Sequence, residues 1–470
     1  MEGSSKKLVP RLLLAGASRG AGLSSLILGL LVCFRKSGIS VGTANVGPSL
    51  VETTHFRRIS GRLSNTLDPW ILSRDAIQDS LVRLATGAEI ILIDGDRGVF
   101  DLFPEGAAYP TIADFALIHS FPLVLVVNGA GYGESIRALV KGFTEYRSDA
   151  KISGVIVTQL KDEAHARQVQ AALSGVRGLR YLGGVLDESS LRSGLSEDRV
   201  ADNPSLLTRT KLLALGERVK VGVDFSSLRE LAGFAAPISG EPLTRVKQVG
   251  KCRIAVADDA AFHLTVQDNL DLMRRVGAEL VAFSPLADTR LPQGASAVYL
   301  PSGYPHYYSG ELAANKLMIT ALREFAVNGG VVYAEGDAIA YCARKLVLST
   351  GENFEMVGLL PGSVVSSIDE RTDLEPIACE VQAQRSSIAA PQGITFRGLR
   401  SSRWIVRLDE PVLTCFQLKD RGTTPQAPLV DGYCPSPHIL ISTVQQHWGQ
   451  IFGNQGQSLV RTFVEAATVS

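Results

Sequence analysis

A glycine-rich segment near the start of the chain carries the residue types of a phosphate-binding loop. It follows a short apolar run and precedes a helical pattern; its glycines and hydroxyls are Gly16, Gly20, Gly22, Ser24 and Ser25. Glycines let successive backbone N–H groups converge on phosphate oxygens where a strand turns into a helix. The segment therefore predicts a phosphate site at a helix N-terminus, with the Ser24 hydroxyl placed to contact Mg²⁺.

The same loop lacks the lysine that such loops use to reach the β and γ phosphates. Leu23 occupies that position, directly before Ser24. Backbone amides and hydroxyls remain, so the segment predicts weak binding of ATP and Mg²⁺ rather than turnover. The alternative is a glycine-rich turn that binds no ligand.

The chain shows the alternation of apolar runs and amphipathic stretches that is typical of an α/β protein. Predicted buried strands are 11–15, 89–94, 123–128 and 154–158, and helical patterns cover 24–37 and 135–146. A second series begins with a strand at 253–257 and ends with a helix at 314–328 and a strand at 331–334. We predict a domain over 1–233, a Gly/Pro-containing linker over 234–250 and a second domain over 251–470.

Composition limits the classes of function. The 470 residues carry no net charge, with 47 basic and 47 acidic side chains, which argues against a nucleic-acid binder. No apolar stretch approaches the roughly 20 residues of a membrane span. The six cysteines are scattered without metal-ligand spacing, and we expect a cytoplasmic protein with reduced thiols.

Further motifs resemble one protein family, the cobyrinic acid a,c-diamide synthases. They follow the glycine-rich loop in order: Val46-Gly47-Pro48, Gly61-Arg62, Leu67-Asp68-Pro69-Trp70, Asp94-Gly95, Phe283-Ser284-Pro285-Leu286, Gly303-Tyr304-Pro305 and Gly358-Leu359-Leu360-Pro361-Gly362. Members of this family activate a tetrapyrrole carboxylate with ATP and amidate it with ammonia from glutamine. The resemblance implies a P-loop-type, dethiobiotin-synthetase-like domain with a parallel sheet, followed by a class I glutamine amidotransferase-like domain.

The resemblance also implies a substrate cleft and a metal site. The cleft candidates are Glu52, Arg62, Asp68, Trp70 and Asp94. Ser24, Glu52 and Asp94 are the candidates for weak Mg²⁺ binding. Asp68 before Pro69 is equally compatible with a turn, and Trp70 with a core position.

Several positions depart from the family pattern where the chemistry is expected. In the first domain Leu23 and Asn45 stand where the family has lysines, so two acids remain but the cations do not. In the second, Gly336 holds the position of the nucleophilic cysteine and Gln445 that of the catalytic histidine. Cys342 and His447 are expected to be structural. Phosphoryl transfer needs cations, and glutamine hydrolysis needs a thiolate and a base.

These losses favour a non-catalytic homologue, a pseudoenzyme, that acts by binding a tetrapyrrole, an active paralogue or another assembly. One alternative is an active amide synthase that uses free ammonia, and another is a nucleotide sensor without turnover. The segment Leu191-Arg192-Ser193-Gly194-Leu195 keeps only its glycine and last leucine of the family motif. By resemblance, we expect a homodimer or a heterodimer with an active paralogue.

Overall fold

The computed structural model describes residues 8–187, 208–238, 248–369, 376–421, 429–450 and 459–469. The chain divides into two compact units, Met1–Thr244 and Arg245–Ser470, called here the first and second units. The division falls within 234–250, the predicted linker, much of which lies outside the described residues.

The first unit alternates strands and helices. Its strands are Arg11–Gly16 (β1), Val41–Asn45 (β2), Ser64–Thr66 (β3), Ile90–Gly98 (β4), Leu123–Asn128 (β5), Ile152–Leu160 (β6) and Arg180–Leu186 (β7). Its helices are Leu23–Lys36 (α1), Leu50–Ser60 (α2), Arg74–Leu84 (α3), Ile112–Ile118 (α4), Ile136–Tyr146 (α5), Glu163–Leu173 (α6), Arg209–Gly222 (α7) and Phe225–Ala232 (α8).

A seven-stranded parallel sheet in the order β3-β2-β4-β1-β5-β6-β7 forms the centre of the first unit. β1 and β5 are apolar along nearly their whole length and almost fully buried, as expected for strands covered on both faces. α1 packs closely on α7, since a Cβ added at Gly29 would lie 2.4 Å from Cγ2 of Val219. The apolar core formed by these elements fixes the start of α1, and with it the glycine-rich loop.

The second unit contains a larger mixed sheet. Its strands are Cys252–Ala257 (β8), Ala278–Phe283 (β9), Ala297–Leu300 (β10), Val331–Glu335 (β11), Ala343–Val347 (β12), Asn353–Glu355 (β13), Leu360–Ser366 (β14), Ile377–Ala383 (β15), Thr395–Arg400 (β16), Trp404–Leu408 (β17), Leu413–Asp420 (β18), Leu429–Cys434 (β19), Ile439–Ser442 (β20) and Val444–Gln446 (β21). Its helices are Gln267–Val276 (α9), Ser309–Ala314 (α10), Lys316–Val327 (α11), Ile339–Cys342 (α12) and Leu459–Val469 (α13).

Ten of these strands form one sheet in the order β21-β16-β15-β18-β19-β20-β11-β10-β8-β9, and β13-β12-β14-β17 form a second. Strands β20, β11, β10, β8 and β9 pair in parallel, and the rest of the large sheet is antiparallel. Gly336, the predicted nucleophile position, therefore follows a strand in the parallel part of this sheet.

The predicted α/β architecture is confirmed, and most predicted elements agree with the structure within a few residues. The predicted strand at 89–94 is longer, because β4 continues to Gly98. That extension contains Asp96 and Arg97. Within the described residues, every helix is too short or too polar to cross a membrane.

Candidate functional site

The glycine-rich loop is held in place from the neighbouring strand β6. The Oγ1 of Thr158 donates a hydrogen bond to the Ala21 carbonyl at 2.6 Å, and Nε2 of Gln159 donates to the Gly20 carbonyl at 2.9 Å. Gly20 and Gly22 have φ angles of 77° and 75°, in the left-handed region that glycine adopts without strain. The loop is therefore a fixed feature of the unit, with its glycines where the backbone requires them.

The N-terminus of α1 has the properties of an anion site. Gly22 stands at the N-cap, and within the described residues α1 has neither a side-chain cap nor an acid in its first turn. The first N–H groups of a 14-residue helix thus keep their hydrogen-bonding capacity for a ligand. Leu23 belongs to the apolar core of the unit, so its side chain contributes packing in place of a charge.

A cavity of about 450 Å³ opens beside this loop. Its lining includes the loop residues Gly16, Gly20, Gly22, Ser24 and Ser25, together with Glu52 and Asp94. These are all of the predicted loop and metal candidates, and they come from the loop after β1, the first turn of α2 and β4. The volume falls in the range of small-molecule and cofactor sites.

Asp94 and Glu52 are the two carboxylates among the predicted Mg²⁺ ligands. Asp94 is buried in the middle of β4, paired in register with Leu14 of β1 and Asn45 of β2. Its Oδ1 accepts the N–H of Asp96 at 2.8 Å. Glu52, in the first turn of α2, accepts a hydrogen bond from the Ser49 hydroxyl. Mg²⁺ commonly binds through one or two carboxylates plus substrate phosphates, and this donor set fits that pattern with Ser24.

Asp96 is a candidate that sequence reasoning missed. It has a φ of 62°, an uncommon conformation for a residue other than glycine, and it lines the cavity. A Cβ added at Gly47 would lie 2.6 Å from its Oδ2, so the Val46-Gly47-Pro48 turn leaves room for this carboxylate. Burial raises the pKa of Asp96, while the positive charges of Arg97 and Arg19 act in the opposite direction.

Three arginines line the cavity: Arg19, Arg97 and Arg218. Leu23 and Asn45 leave the two lysine positions without a charge, but these arginines bring positive charge to the cavity from positions that the family motifs do not include. Arg97 lies 3.5 Å from Oδ2 of Asp96, with its guanidinium carbon 4.4 Å from the ring centre of Phe103. Guanidinium groups bind phosphate oxygens in a bidentate geometry and keep their charge at any physiological pH.

The remaining cleft candidates do not line the cavity. Arg62 donates to the carbonyls of Thr86 at 2.7 Å and Gly87 at 3.0 Å, both of which precede β4. This is the amino edge of the sheet, opposite the loop after β1, so the assignment of Arg62 to the cleft is corrected. There it links the loop after α2 to the loop before β4.

Asp68 and Trp70 have local structural roles. Oδ1 of Asp68 accepts the N–H of Trp70 at 2.8 Å, which is a turn of the kind that Asp forms before proline. Burial raises the pKa of Asp68, and the negative charge of nearby Asp96 acts in the same direction. The Trp70 side chain is only 4% exposed and packs in the core.

In the second unit, Gly336 forms a left-handed turn at which an added side chain would meet neighbouring atoms. It follows β11 directly and has a φ of 60°. A Cβ added at Gly336 would lie 2.5 Å from Oγ of Ser302 and 3.0 Å from Cγ of Gln445. Real Cβ atoms do not approach other atoms at 2.5 Å, so the space of a cysteine side chain is filled.

The Asp337 side chain links the turn at Gly336 to neighbouring residues through hydrogen bonds. Its Oδ2 accepts from Oγ of Ser302 at 3.0 Å, and its Oδ1 accepts from Oγ of Ser401 and Nε1 of Trp404, both at 2.7 Å. The Asp337 N–H in turn donates to Oγ of Ser302 at 3.0 Å. Ser302 precedes Gly303, in the loop where the family pattern expects an oxyanion site. The hydrogen bonds therefore fix Asp337 and Ser302 in place directly beside Gly336.

Gln445 and His447, the two positions of the predicted histidine motif, both make contacts within the fold. Nε2 of Gln445 donates to the carbonyl of Leu264 at 3.2 Å. His447 is 2% exposed, and its Nδ1 accepts the N–H of Gly449 at 3.1 Å while its Nε2 faces Asp268 at 3.6 Å. Cys342 is fully buried at the end of α12, and burial raises its pKa to about 12. These contacts agree with the predicted structural roles of His447 and Cys342.

A buried carboxylate lies directly before the turn. Glu335 accepts from the hydroxyls of Tyr299 at 2.5 Å and Tyr333 at 2.8 Å and from the N–H of Gln446 at 3.1 Å. Burial raises its pKa to about 7, an effect opposed by these hydrogen bonds. The network joins β10, β11 and β21 beside Gly336 and Gln445. The Leu191–Leu195 segment, with Arg192, lies outside the described residues.

The second unit carries the match that defines the class of protein. Residues 253–397 match the model of the CobB/CobQ-like glutamine amidotransferase domain. The strand, turn and short helix around Gly336 lie within this range. The class is thus an amidotransferase-type α/β protein, here preceded by a parallel-sheet unit with a phosphate-type loop.

Relatives of known name specify the family. The cobyrinate a,c-diamide synthase of Syntrophotalea carbinolica is 33% identical over 75% of this chain and 77% of the relative. That of Leptospira interrogans is 27% identical over 94% of this chain and 95% of the relative. That of Priestia megaterium is 30% identical over 75% of this chain and 77% of the relative. The chain belongs to the cobyrinate a,c-diamide synthase family.

Proposed function

We propose that this chain is a non-catalytic member of its family, which binds a nucleoside triphosphate in the first unit and lacks glutaminase activity in the second. The observation that supports this most strongly is the 2.5 Å distance from a Cβ at Gly336 to Oγ of Ser302. The nucleophile is missing, and the space that it would need is occupied. Loss of a nucleophile that acts together with its base costs about 10⁶-fold in kcat.

Nucleotide binding is supported by the cavity beside the glycine-rich loop. Backbone N–H groups at the start of α1 suit phosphate oxygens, and three arginines provide positive charge. Ser24, Glu52 and Asp94 would hold Mg²⁺ bound to the phosphates. The positions of Leu23 and Asn45 are uncharged, so the phosphate positions that a lysine would reach have less stabilisation during transfer.

Thermal unfolding with added ligands tests the proposal. A ligand that binds only the folded state stabilises it by RT ln(1 + [L]/Kd), about 2.7 kcal/mol at 100 times Kd. We expect the Tm to rise with Mg-ATP and to stay constant with glutamine. A rise with glutamine, or release of glutamate from it, would overturn the glutaminase part of the proposal. A constant Tm at millimolar Mg-ATP would overturn the nucleotide part.

The competing function is an active amide synthase that uses free ammonia. It requires ATP hydrolysis coupled to a tetrapyrrole acid, without glutamine. An assay with Mg-ATP, ammonium and cobyrinic acid decides between the two. We expect no amide product and no phosphate above background. Stoichiometric release of phosphate and amide would establish the active alternative.

We also propose that the protein is cytoplasmic and forms either a homodimer or a heterodimer with an active paralogue. A tetrapyrrole is the proposed small-molecule ligand. Native mass spectrometry of protein isolated gently from its host distinguishes them. A second, different chain supports a regulatory subunit; a homo-oligomer with a tetrapyrrole-sized or nucleotide-sized adduct supports a carrier or sensor.

A further inference from the structure

Two cysteines of the second unit lie together on one face of the large sheet, away from Gly336. Cys415 is in β18 and Cys434 ends β19. Cys434 pairs in register with Leu413, two residues before Cys415, and residues two apart on a strand share a face. Their Sγ atoms are 3.0 Å apart. A disulfide bond is about 2.05 Å long, so the two sulfurs need to approach by only about 1 Å.

The pair opens onto a cavity of about 510 Å³. The described residues that line this cavity are small, hydroxyl-bearing or apolar and uncharged; besides the cysteines they include Ser386, Pro435, Ser436 and Thr462. Cys415 is almost fully buried, whereas Cys434 is partly exposed. A small reagent that enters the cavity therefore meets the Cys434 sulfur first.

The two thiols of the pair differ in their electrostatics. The hydrogen bond between the sulfurs lowers the pKa of Cys415, an effect that burial opposes and the charge of Arg385 supports, whereas the same hydrogen bond and burial raise the pKa of Cys434. The four other cysteines, Cys33, Cys252, Cys342 and Cys379, are buried, and burial raises the pKa of each. Reactive cysteines combine thiolate character with access. In this pair Cys415 has the lowered pKa and Cys434 has the access, and the 3.0 Å contact between their sulfurs lets the two thiols act together.

We propose that Cys415 and Cys434 form a thiol-modification site, at which a low-molecular-weight disulfide oxidises the pair to a disulfide bond between β18 and β19. The Cys434 thiol passes its proton to the Cys415 thiolate across the 3.0 Å contact, and the Cys434 sulfur then attacks one sulfur of the reagent, forms a mixed disulfide and expels one small thiolate. The Cys415 sulfur then attacks the Cys434 sulfur and expels the second thiolate, which takes the Cys415 proton. Two thiols are oxidised and one small disulfide is reduced. This site is independent of the proposed nucleotide function.

The test is exposure of the full-length protein to oxidised glutathione, followed by alkylation of remaining thiols and peptide mass analysis. We expect a Cys415–Cys434 linked peptide with the loss of two hydrogen masses, reversed by a dithiol reductant. The pair should lose its free thiols about tenfold or more faster than buried Cys379, because exchange requires an accessible thiolate. Persistence of both free thiols at the oxidant level that modifies Cys379, or links between other cysteines, would overturn the proposal.

Serine variants identify the order of the two steps. In Cys415→Ser the second attack is impossible, so a glutathione adduct should accumulate on Cys434. Cys434→Ser should form little adduct at the buried Cys415. Adduct on Cys415 in Cys434→Ser equal to that on Cys434 in Cys415→Ser would contradict the assigned roles. The wild-type peptide map decides the main proposal even if a variant fails to fold.

Discussion

The two units each place a left-handed glycine turn at the end of a buried parallel strand, but the surroundings of the two turns differ. At Gly20 in the first unit, an added Cβ would meet no described atom within 4 Å, and a cavity of about 450 Å³ lies beside the loop. At Gly336 in the second, Ser302 and Gln445 fill the equivalent space. A retained turn therefore shows that the fold persists, while the residues facing it decide whether a ligand can bind.

The largest effect is expected from restoring the nucleophile. Gly336→Cys should destabilise the protein by about 2 to 6 kcal/mol, because left-handed strain and overpacking each cost about 1 to 3 kcal/mol. It should release no glutamate from glutamine. Denaturant unfolding and a glutaminase assay measure the two quantities.

A matched control separates strain from packing. Gly351 has a φ of 89° with no described atom within 4 Å of an added Cβ, so Gly351→Cys should cost only the strain, about 1 to 3 kcal/mol. Adding Ser302→Gly to Gly336→Cys should recover stability without activity. Glutamate release by Gly336→Cys would contradict the proposed loss of glutaminase activity. Equal destabilisation by Gly336→Cys and Gly351→Cys would show that the space beside Gly336 is not filled.

The pH dependence of stability examines the buried network beside Gly336. The pKa of Glu335 is raised by burial from 4.5 to about 7, so between these values the folded state holds a proton that the unfolded state has released. Stability should therefore fall as pH rises through this window, by about 3 kcal/mol in total from this group.

Glu335→Gln should flatten that dependence, because glutamine mimics the protonated carboxyl at every pH. Urea unfolding at a series of pH values, with exposed Glu410→Gln as the control, measures the difference. If Glu335→Gln shows the same pH profile as the wild type, Glu335 does not titrate as described.

The cations of the first unit are expected to carry phosphate affinity. Arg19→Gln and Arg97→Gln should each weaken Mg-ATP binding by about 10- to 100-fold, since hydrogen bonds to charged groups contribute about 1.5 to 3 kcal/mol. Arg167→Gln is the control, because this side chain is 72% exposed on α6 and does not line the cavity. Calorimetric titration measures each Kd. Equal Kd values for all three variants would refute the role of the arginines.

The smallest effect on turnover is expected at Leu23. Leu23→Lys should leave ATP hydrolysis at background, although the ammonium can extend into the cavity and tighten binding by up to about tenfold. Loss of the buried Leu23 side chain should cost about 1 to 3 kcal/mol of stability. Leu23→Gln separates the charge from the lost packing. Hydrolysis restored in Leu23→Lys alone would show that a single residue suppresses an otherwise active site.

The sequence predicts local strands, helices and turns well, but it predicts poorly which distant residues pack against them. The strand and helix around Gly16–Ser25, and the turn at Gly336, follow from local glycine spacing and apolar runs. Arg218 approaches the cavity from α7, nearly two hundred residues later, and no local pattern predicts that approach. Asp96 and Arg97 were the nearest to a sequence signal, because they directly follow Asp94-Gly95 and belong to the continuation of β4.

Arg62 and Ser302 also show that the sequence alone does not predict which side chains meet in the fold. The order of motifs brings Arg62 near the cleft candidates in sequence, but hydrogen bonds to Thr86 and Gly87 place it at the other edge of the sheet. Ser302 is inconspicuous in sequence, yet it fills the space above Gly336. Both outcomes depend on strand order and direction, which pairing across the sheet decides.

The central claim is that the first unit binds nucleotide without turnover while the second does not process glutamine. The most direct test incubates the protein with a stoichiometric amount of Mg-ATP, glutamine and cobyrinic acid, isolates the complex, denatures it and quantifies nucleotides and amino acids by chromatography. We predict that ATP is recovered intact with the protein and that all glutamine remains unhydrolysed. Recovery of ADP together with glutamate, or of protein without nucleotide, would contradict the account.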